Sequence, residues 1–177
     1  MGNRGGTTVA QRPTGVIVVS VLHVLFGLVH FALLFVPGMV DRLGVLSNEP
    51  NEYIVICLVA TALLGVLSGL GMWWGASWGW LLGGLYYTYL IFRSTADLVR
   101  IVEQGGLQGL ADLQRFGMVY WSLALGLVML YFFFLGARVV EYFGLGGQSR
   151  ARLTVKLLVA GVVVALIQGF LAGGFYR

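Results

Sequence analysis

The chain has 177 residues, 59% of them apolar and only 10% charged, with a formal net charge of +4. A soluble domain is about 45–50% apolar and about 25% charged, so this composition excludes both intrinsic disorder and a water-solvated globule. The bilayer is the solvent that suits it. The small, scattered positive balance excludes a nucleic-acid binder, because the nearest basic neighbours, Arg150, Arg152 and Lys156, read as flankers of a membrane segment. The single cysteine, Cys57, excludes a disulfide framework.

A hydrocarbon core of about 30 Å needs about 20 apolar residues in helical conformation, and five stretches meet that need. Residues 1–14 form a polar, Gly-rich tail carrying Arg4 and Arg12. The apolar run behind it, Gly15 to Val36, is longer than the roughly 7–15 residues of a signal-peptide core and is expected to be a retained first helix. The second span covers Tyr53 to Trp74. The third starts at Ser77, is apolar to Phe92, and is taken as a span over 77–101 that continues as a polar helix to Glu103. A short amphipathic or irregular stretch over Leu107–Phe116 on the outer face leads into the fourth span, Gly117 to Ala137, and the fifth covers Val155 to Gly174. The expected fold class is therefore an all-α integral membrane protein, a single bundle of five transmembrane helices.

Orientation follows from basic residues in short loops. With the N-terminus cytoplasmic, Arg4, Arg12, Arg138, Arg150, Arg152 and Lys156 lie inside, against Arg42, Arg93, Arg100, Arg115 and Arg177 at or near the outer side. The expectation is N-in and C-out, in a multi-pass protein of the inner (plasma) membrane. The hairpin between the second and third spans carries Trp73, Trp74, Trp78 and Trp80. Indoles favour the headgroup layer, where the ring is in contact with lipid and the N–H with water, so these four read as interfacial anchors, with a ligand platform as the sharper alternative.

Helices in lipid associate through close approach at small residues. The fifth span carries Gly161, Ala165, Gly169 and Gly173 at strict four-residue spacing, which predicts a helix-packing face; shorter pairs are Gly65 and Gly69, Gly79 and Gly83, and Ser122 and Gly126.

An ionisable residue inside a span is a functional hypothesis by default. His23 and His30, seven apart, fall within about 20° of one helix face and about 10 Å apart along the axis, too far to share a metal ion. Each is a candidate cofactor-binding residue as an axial ligand to a tetrapyrrole, haem or a chlorophyll-type pigment; the plainer reading is an interhelical hydrogen bond. In the third span Tyr86, Tyr89, Arg93, Asp97 and Arg100 form one stripe, with Asp97 placed to pair with Arg93, unless Arg93 snorkels outward. Depth arithmetic at about 1.5 Å per residue sets His30, Tyr89, Arg93, Asp97, Ser122 and Gln168, with Thr61 slightly deeper, in one polar layer in the outer third of the bilayer.

No Walker motif, His-Glu-x-x-His, Gly-x-Ser-x-Gly or Cys-x-x-Cys is present, so no catalytic residue and no metal ligand set is assigned. The function expected is non-enzymatic: an accessory or scaffold subunit of a membrane assembly, its partners the lipid bilayer and other membrane subunits or a second copy of the chain. A small transporter or channel using the outer polar layer is the alternative, and tetrapyrrole binding at His23 or His30 the third reading.

Overall fold

The computed structural model describes residues 12–47, 50–103 and 110–175, leaving out the side chains at 45–47, 97, 100, 110–115, 168, 169 and 171–175. Among the described residues the chain is all-helical, with no strand. The helices are α1 (Thr14–Leu33), α2 (Met39–Ser47), α3 (Asn51–Trp73), α4 (Ser77–Glu103), α5 (Leu110–Val128), which runs on as a π-helical segment over Met129–Phe134, α6 (Ala137–Tyr142) and α7 (Arg150–Phe175). Pro13 and Pro50 sit in extended conformation just before α1 and α3, where a residue without an N–H leaves no helical donor missing.

Three described helices are long and apolar enough to cross a membrane: Thr14–Leu33, Asn51–Trp73 and Phe116–Phe134. That is two fewer than the five expected. The other two long helices are more polar over part of their length: α4 carries Tyr86, Tyr87, Thr88, Tyr89 and Arg93, and α7 opens with Arg150, Arg152 and Lys156. The expected boundaries also move. The first span ends at Leu33 rather than Val36, and the chain then enters the short helix α2, which packs on α3. The fourth gives way at Val128 to the π-helical segment, and α6 follows it as a separate turn-and-a-half.

The helices pack in the order α1 on α3, α3 on α4, and both α5 and α7 on α4, which is thus the central helix. α1 crosses α3 backbone to backbone. A Cβ added at Gly65 would lie 2.9 Å from Gly27 Cα and from the His23 carbonyl, and one added at Gly69 would lie 2.6 Å from the Ser20 carbonyl. Only hydrogen fits at these positions, so the two backbones touch. α3 and α4 form a hairpin across a three-residue turn, in which Gly75 adopts φ +69° and Gly71 meets Gly79 backbone to backbone.

The apolar core gathers Val16, Met72, Trp80, Phe134, Leu153 and Leu157 from the start of α1, the end of α3, the start of α4, the π-helical segment and the start of α7. These termini share one end of the bundle. Arg12 ties that end together: its Nε donates to Tyr142 Oη at 3.1 Å while its Cζ lies 4.9 Å above the Trp73 ring. Elsewhere large apolar side chains cover the outside of the helices, with Trp121 at 72% and Phe132 at 73% exposure. A water-facing monomer does not display apolar surface on this scale.

Trp80 corrects the reading of four interfacial indoles. Trp73, Trp74 and Trp78 are exposed, but Trp80 is 2% exposed, because two residues along a helix turn the side chain by about 200°. Its Nε1 donates to the Phe134 carbonyl at 2.8 Å, at the end of the wide π-helical segment.

Candidate functional site

The polar side chains buried in the bundle are few: Ser20, His23, Ser68, Thr88 and Ser94. Among the described residues none is a buried charge, and no buried side-chain N or O lacks a hydrogen-bond partner. Most hydroxyls are consumed locally. Ser20 donates to the Val16 carbonyl at 2.6 Å, Thr88 to Gly84 at 2.8 Å and Thr95 to Ile91 at 2.8 Å, the four-residue back-bond common for Ser and Thr in helices.

His23 is different. Its Nδ1 lies 2.7 Å from Ser68 Oγ on α3 and its Nε2 lies 3.0 Å from Tyr87 Oη on α4, while Ser68 Oγ itself donates to the Gly65 carbonyl at 3.1 Å. The hydroxyl proton of Ser68 is therefore committed, so Nδ1–H donates to Ser68 and Tyr87 O–H donates to Nε2. One tautomer completes a chain from α4 through α1 to α3. The chain ends on a backbone carbonyl and links three helices. The rings of Tyr86 and Tyr87 flank the imidazole at 5.6 and 5.4 Å between centroids.

Beside this knot lies a partly open cavity of about 230 Å³. α1 contributes His23, Phe26 and His30, α3 contributes Thr61, α4 contributes Tyr86 and Tyr87, and α5 contributes Ser122 and Leu125. Since α1 packs on α3 and α5 on α4, the cavity is a groove floored by α3 and α4 and walled by α1 and α5. Phe26 and Leu125, on the two walls, are both exposed, so the groove opens sideways, toward the lipid side of the bundle. Among the described residues that line it there is no Asp, Glu, Lys or Arg.

His30 Nδ1 lies 2.8 Å from the Phe26 carbonyl. A carbonyl only accepts, so Nδ1 carries the proton, and in that tautomer Nε2 presents a lone pair. Of the residues expected in one outer polar layer, His30, Thr61 and Ser122 line this groove together. Tyr89 and Arg93 are not among its lining residues, and Arg93 is exposed on α4. Arg93 lies about 24 Å along α4 from Ser77. The side chains of Asp97 and Gln168 lie outside the described residues.

As candidate cofactor ligands the two histidines differ. Both ring nitrogens of His23 are engaged, so ligation there requires the Tyr87 or Ser68 bond to be given up; His30 keeps Nε2 for a ligand. Among the described residues no group of three His, Cys, Asp or Glu is placed to hold a metal ion. On the packing face of α7, Gly161 is buried against Thr88 and Phe92 of α4, and Ala165 is half-buried; Gly169 and Gly173 belong to the part of α7 whose side-chain surroundings are not described. Tyr87 and Ser68 are the functional residues that sequence reasoning missed. Tyr87 sits about 100° around the helix from Tyr86, off the stripe that the charges define. Ser68 is the neighbour of Gly69 on the small-residue face, the signal that pointed to it.

Comparison of the chain with protein-family models, with curated proteins and with solved structures finds no match.

Proposed function

We propose that the chain is a multi-pass protein of the inner membrane, with five crossings and a cytoplasmic N-terminus, that serves as a non-enzymatic accessory subunit by holding a lipid-soluble molecule in the lateral groove. The observation that carries this reading is the groove itself: hydrogen-bonding groups from three helices, His30, Thr61 and Ser122, meet in an uncharged cavity that opens between two lipid-facing walls. Ligand sites of this kind are mostly apolar, with a few convergent polar groups that fix orientation. α4 counts as a crossing because it is the central helix. Its neighbours cover Thr88 and Ser94 completely, so it does not need the uniformly apolar surface that marks a lipid-facing span.

Transport through the bundle is the weaker reading. Toward the end of the molecule bearing Arg12 the described residues Val16, Met72, Trp80 and Phe134 pack as an apolar core, which argues against a polar route there. A tetrapyrrole is disfavoured on size, since a macrocycle of four pyrroles is larger than a cavity of about 230 Å³.

The test is purification in native nanodiscs followed by mass spectrometry of bound small molecules and co-purifying chains. The wild type should retain a neutral amphiphile, and Ser122→Phe, which fills the groove from α5, should lose it without a change in thermal unfolding. Wild type that carries no bound amphiphile, or equal retention by both forms, refutes the reading. A strong visible band abolished by His30→Ala would replace it with the pigment.

A further inference from the structure

We propose that the groove takes the head of a tailed para-quinol, the reduced and hydroxyl-bearing form, in preference to the corresponding quinone, with His30 Nε2 accepting a hydrogen bond from one of its hydroxyls. This rests on the reading of the groove as a lateral ligand site. Size comes first. An engineered cavity of about 150 Å³ holds a benzene molecule, so about 230 Å³ accommodates one substituted six-membered ring and not a fused macrocycle or a glycerophospholipid head. Charge comes second. A phosphate or carboxylate head would need a cation, and no Lys or Arg is among the described residues that line the groove, which favours a neutral head.

The walls then set the shape. Tyr86 and Tyr87, packed edge to face against each other, both line the cavity and give a flat ring an aromatic wall. The opening between Phe26 and Leu125 leads a tail straight into the apolar surroundings. Polar groups arrive from both walls and the floor, His30 on α1, Ser122 on α5 and Thr61 on α3. A single-hydroxyl alcohol uses only one of these positions, whereas a ring with oxygens at opposite corners uses two.

The choice between redox forms falls to His30. With Nδ1–H spent on the Phe26 carbonyl, the Nδ1–H tautomer offers the groove only the Nε2 lone pair. A quinone carbonyl also offers only lone pairs, and the two repel; a quinol O–H donates. The hydroxyls of Ser122 and Thr61 both donate and accept, so they serve either form and do not discriminate. No electron transfer is part of the proposal, only binding.

The experiment uses the full chain in phosphatidylcholine nanodiscs. A decyl-tailed benzoquinol and its benzoquinone are titrated under anaerobic conditions and followed by quenching of tryptophan fluorescence, with Trp121 next to Ser122 as the nearest indole in sequence on α5. The quinol should bind at least fivefold more tightly. His30→Phe should bring the two affinities within twofold, His30→Gln, whose amide oxygen still accepts, should keep part of the preference, and Ser122→Ala should weaken both forms alike. Thermal unfolding of each variant separates lost binding from lost fold. Equal or tighter binding of the quinone, or an unchanged ratio in His30→Phe, overturns the proposal. Farnesol distinguishes the two levels: a groove that binds farnesol and neither ring form refutes the quinol but leaves the lateral site standing, and a groove that binds none of the three refutes both.

Discussion

Ser68 has one proton, and its destination sets the state of the His23 ring. With Oγ–H on the Gly65 carbonyl, His23 must donate to Ser68 and accept from Tyr87, and each bond in the chain depends on the one before it. Removing the acceptor leaves a buried N–H without a partner, which costs about 1–3 kcal/mol. Ser68→Ala should therefore lower the unfolding free energy in detergent by about that amount. Ser20→Ala, which deletes a back-bond to a carbonyl already used within its own helix, should stay within about 0.5 kcal/mol. Equal costs for the two would mean that Ser68 acts only through packing. A double-mutant cycle of His23→Ala and Tyr87→Phe should return a coupling near 0.6 kcal/mol, the average for hydrogen bonds between membrane helices, and a value indistinguishable from zero would dissolve the knot. At this scale the sequence is half readable. An imidazole inside an apolar run announces itself, and the depth arithmetic sets His30, Thr61 and Ser122 near one level. The partners of His23 do not announce themselves, because a Ser and a Tyr on other helices become neighbours only through the rotation of each helix about its axis, which the periodicity of an all-apolar segment does not fix.

Glycine at a helix crossing and glycine on an open face have opposite effects, and α1–α3 gives the contrast. Gly69→Ala would drive a methyl to within 2.6 Å of the Ser20 carbonyl, against backbone that cannot move aside, whereas a Cβ at Gly117 on α5 meets nothing within 4 Å. Gly69→Ala should destabilise by about 1–3 kcal/mol, the ordinary cost of overpacking. Gly117→Ala should instead raise stability by up to about 1 kcal/mol through helix propensity. The two thermal shifts should have opposite signs, and a shared sign would remove the close-approach argument. The Trp80 N–H bond to Phe134 joins the α4 hairpin to the π-helical segment. Trp80→Phe keeps most of the ring volume and orphans that carbonyl, so it too should cost about 1–3 kcal/mol. The five long helices could be read from apolar run length. The helices α2 and α6 could not, since nine and six residues are too few to leave a periodic signature. The π-helical segment could not either, because one extra residue in a turn is invisible in a run as uniformly apolar as Met129–Phe134. The small-residue faces were visible but their ranking was not. The run on α7 is the longer in sequence, yet among the described residues backbones touch where Gly65 and Gly69 meet α1 and where Gly71 meets Gly79.

The arrangement of the whole bundle turns on whether α4 crosses, since that decides which loops share a side. Arg12, Trp73 and Tyr142 meet at one end, so the start of α1, the α3–α4 turn and α6 lie together there, with Arg138, Arg150, Arg152 and Lys156 close by in sequence. In the proposed orientation this end, where basic residues gather, is the cytoplasmic one. α4 leaves that end and has 27 residues, about 40 Å of helix, against a hydrocarbon core of about 30 Å. If it crosses upright, its last turns emerge on the opposite side, and Arg93 lies within reach of that interface without facing the bundle interior. If it lay along the inner surface instead, Glu103 and Gly147 would share a compartment. Single cysteines placed by Glu103→Cys and Gly147→Cys in a Cys57→Ser background separate the cases. An impermeant maleimide added to sealed, right-side-out vesicles should label Glu103→Cys and spare Gly147→Cys until the vesicles are opened. Labelling of neither before opening would place both ends of α4 inside and reduce the crossings from five. It would also reverse α5, which follows α4, and so part Ser122 from the level of His30, whose helix α1 precedes α4.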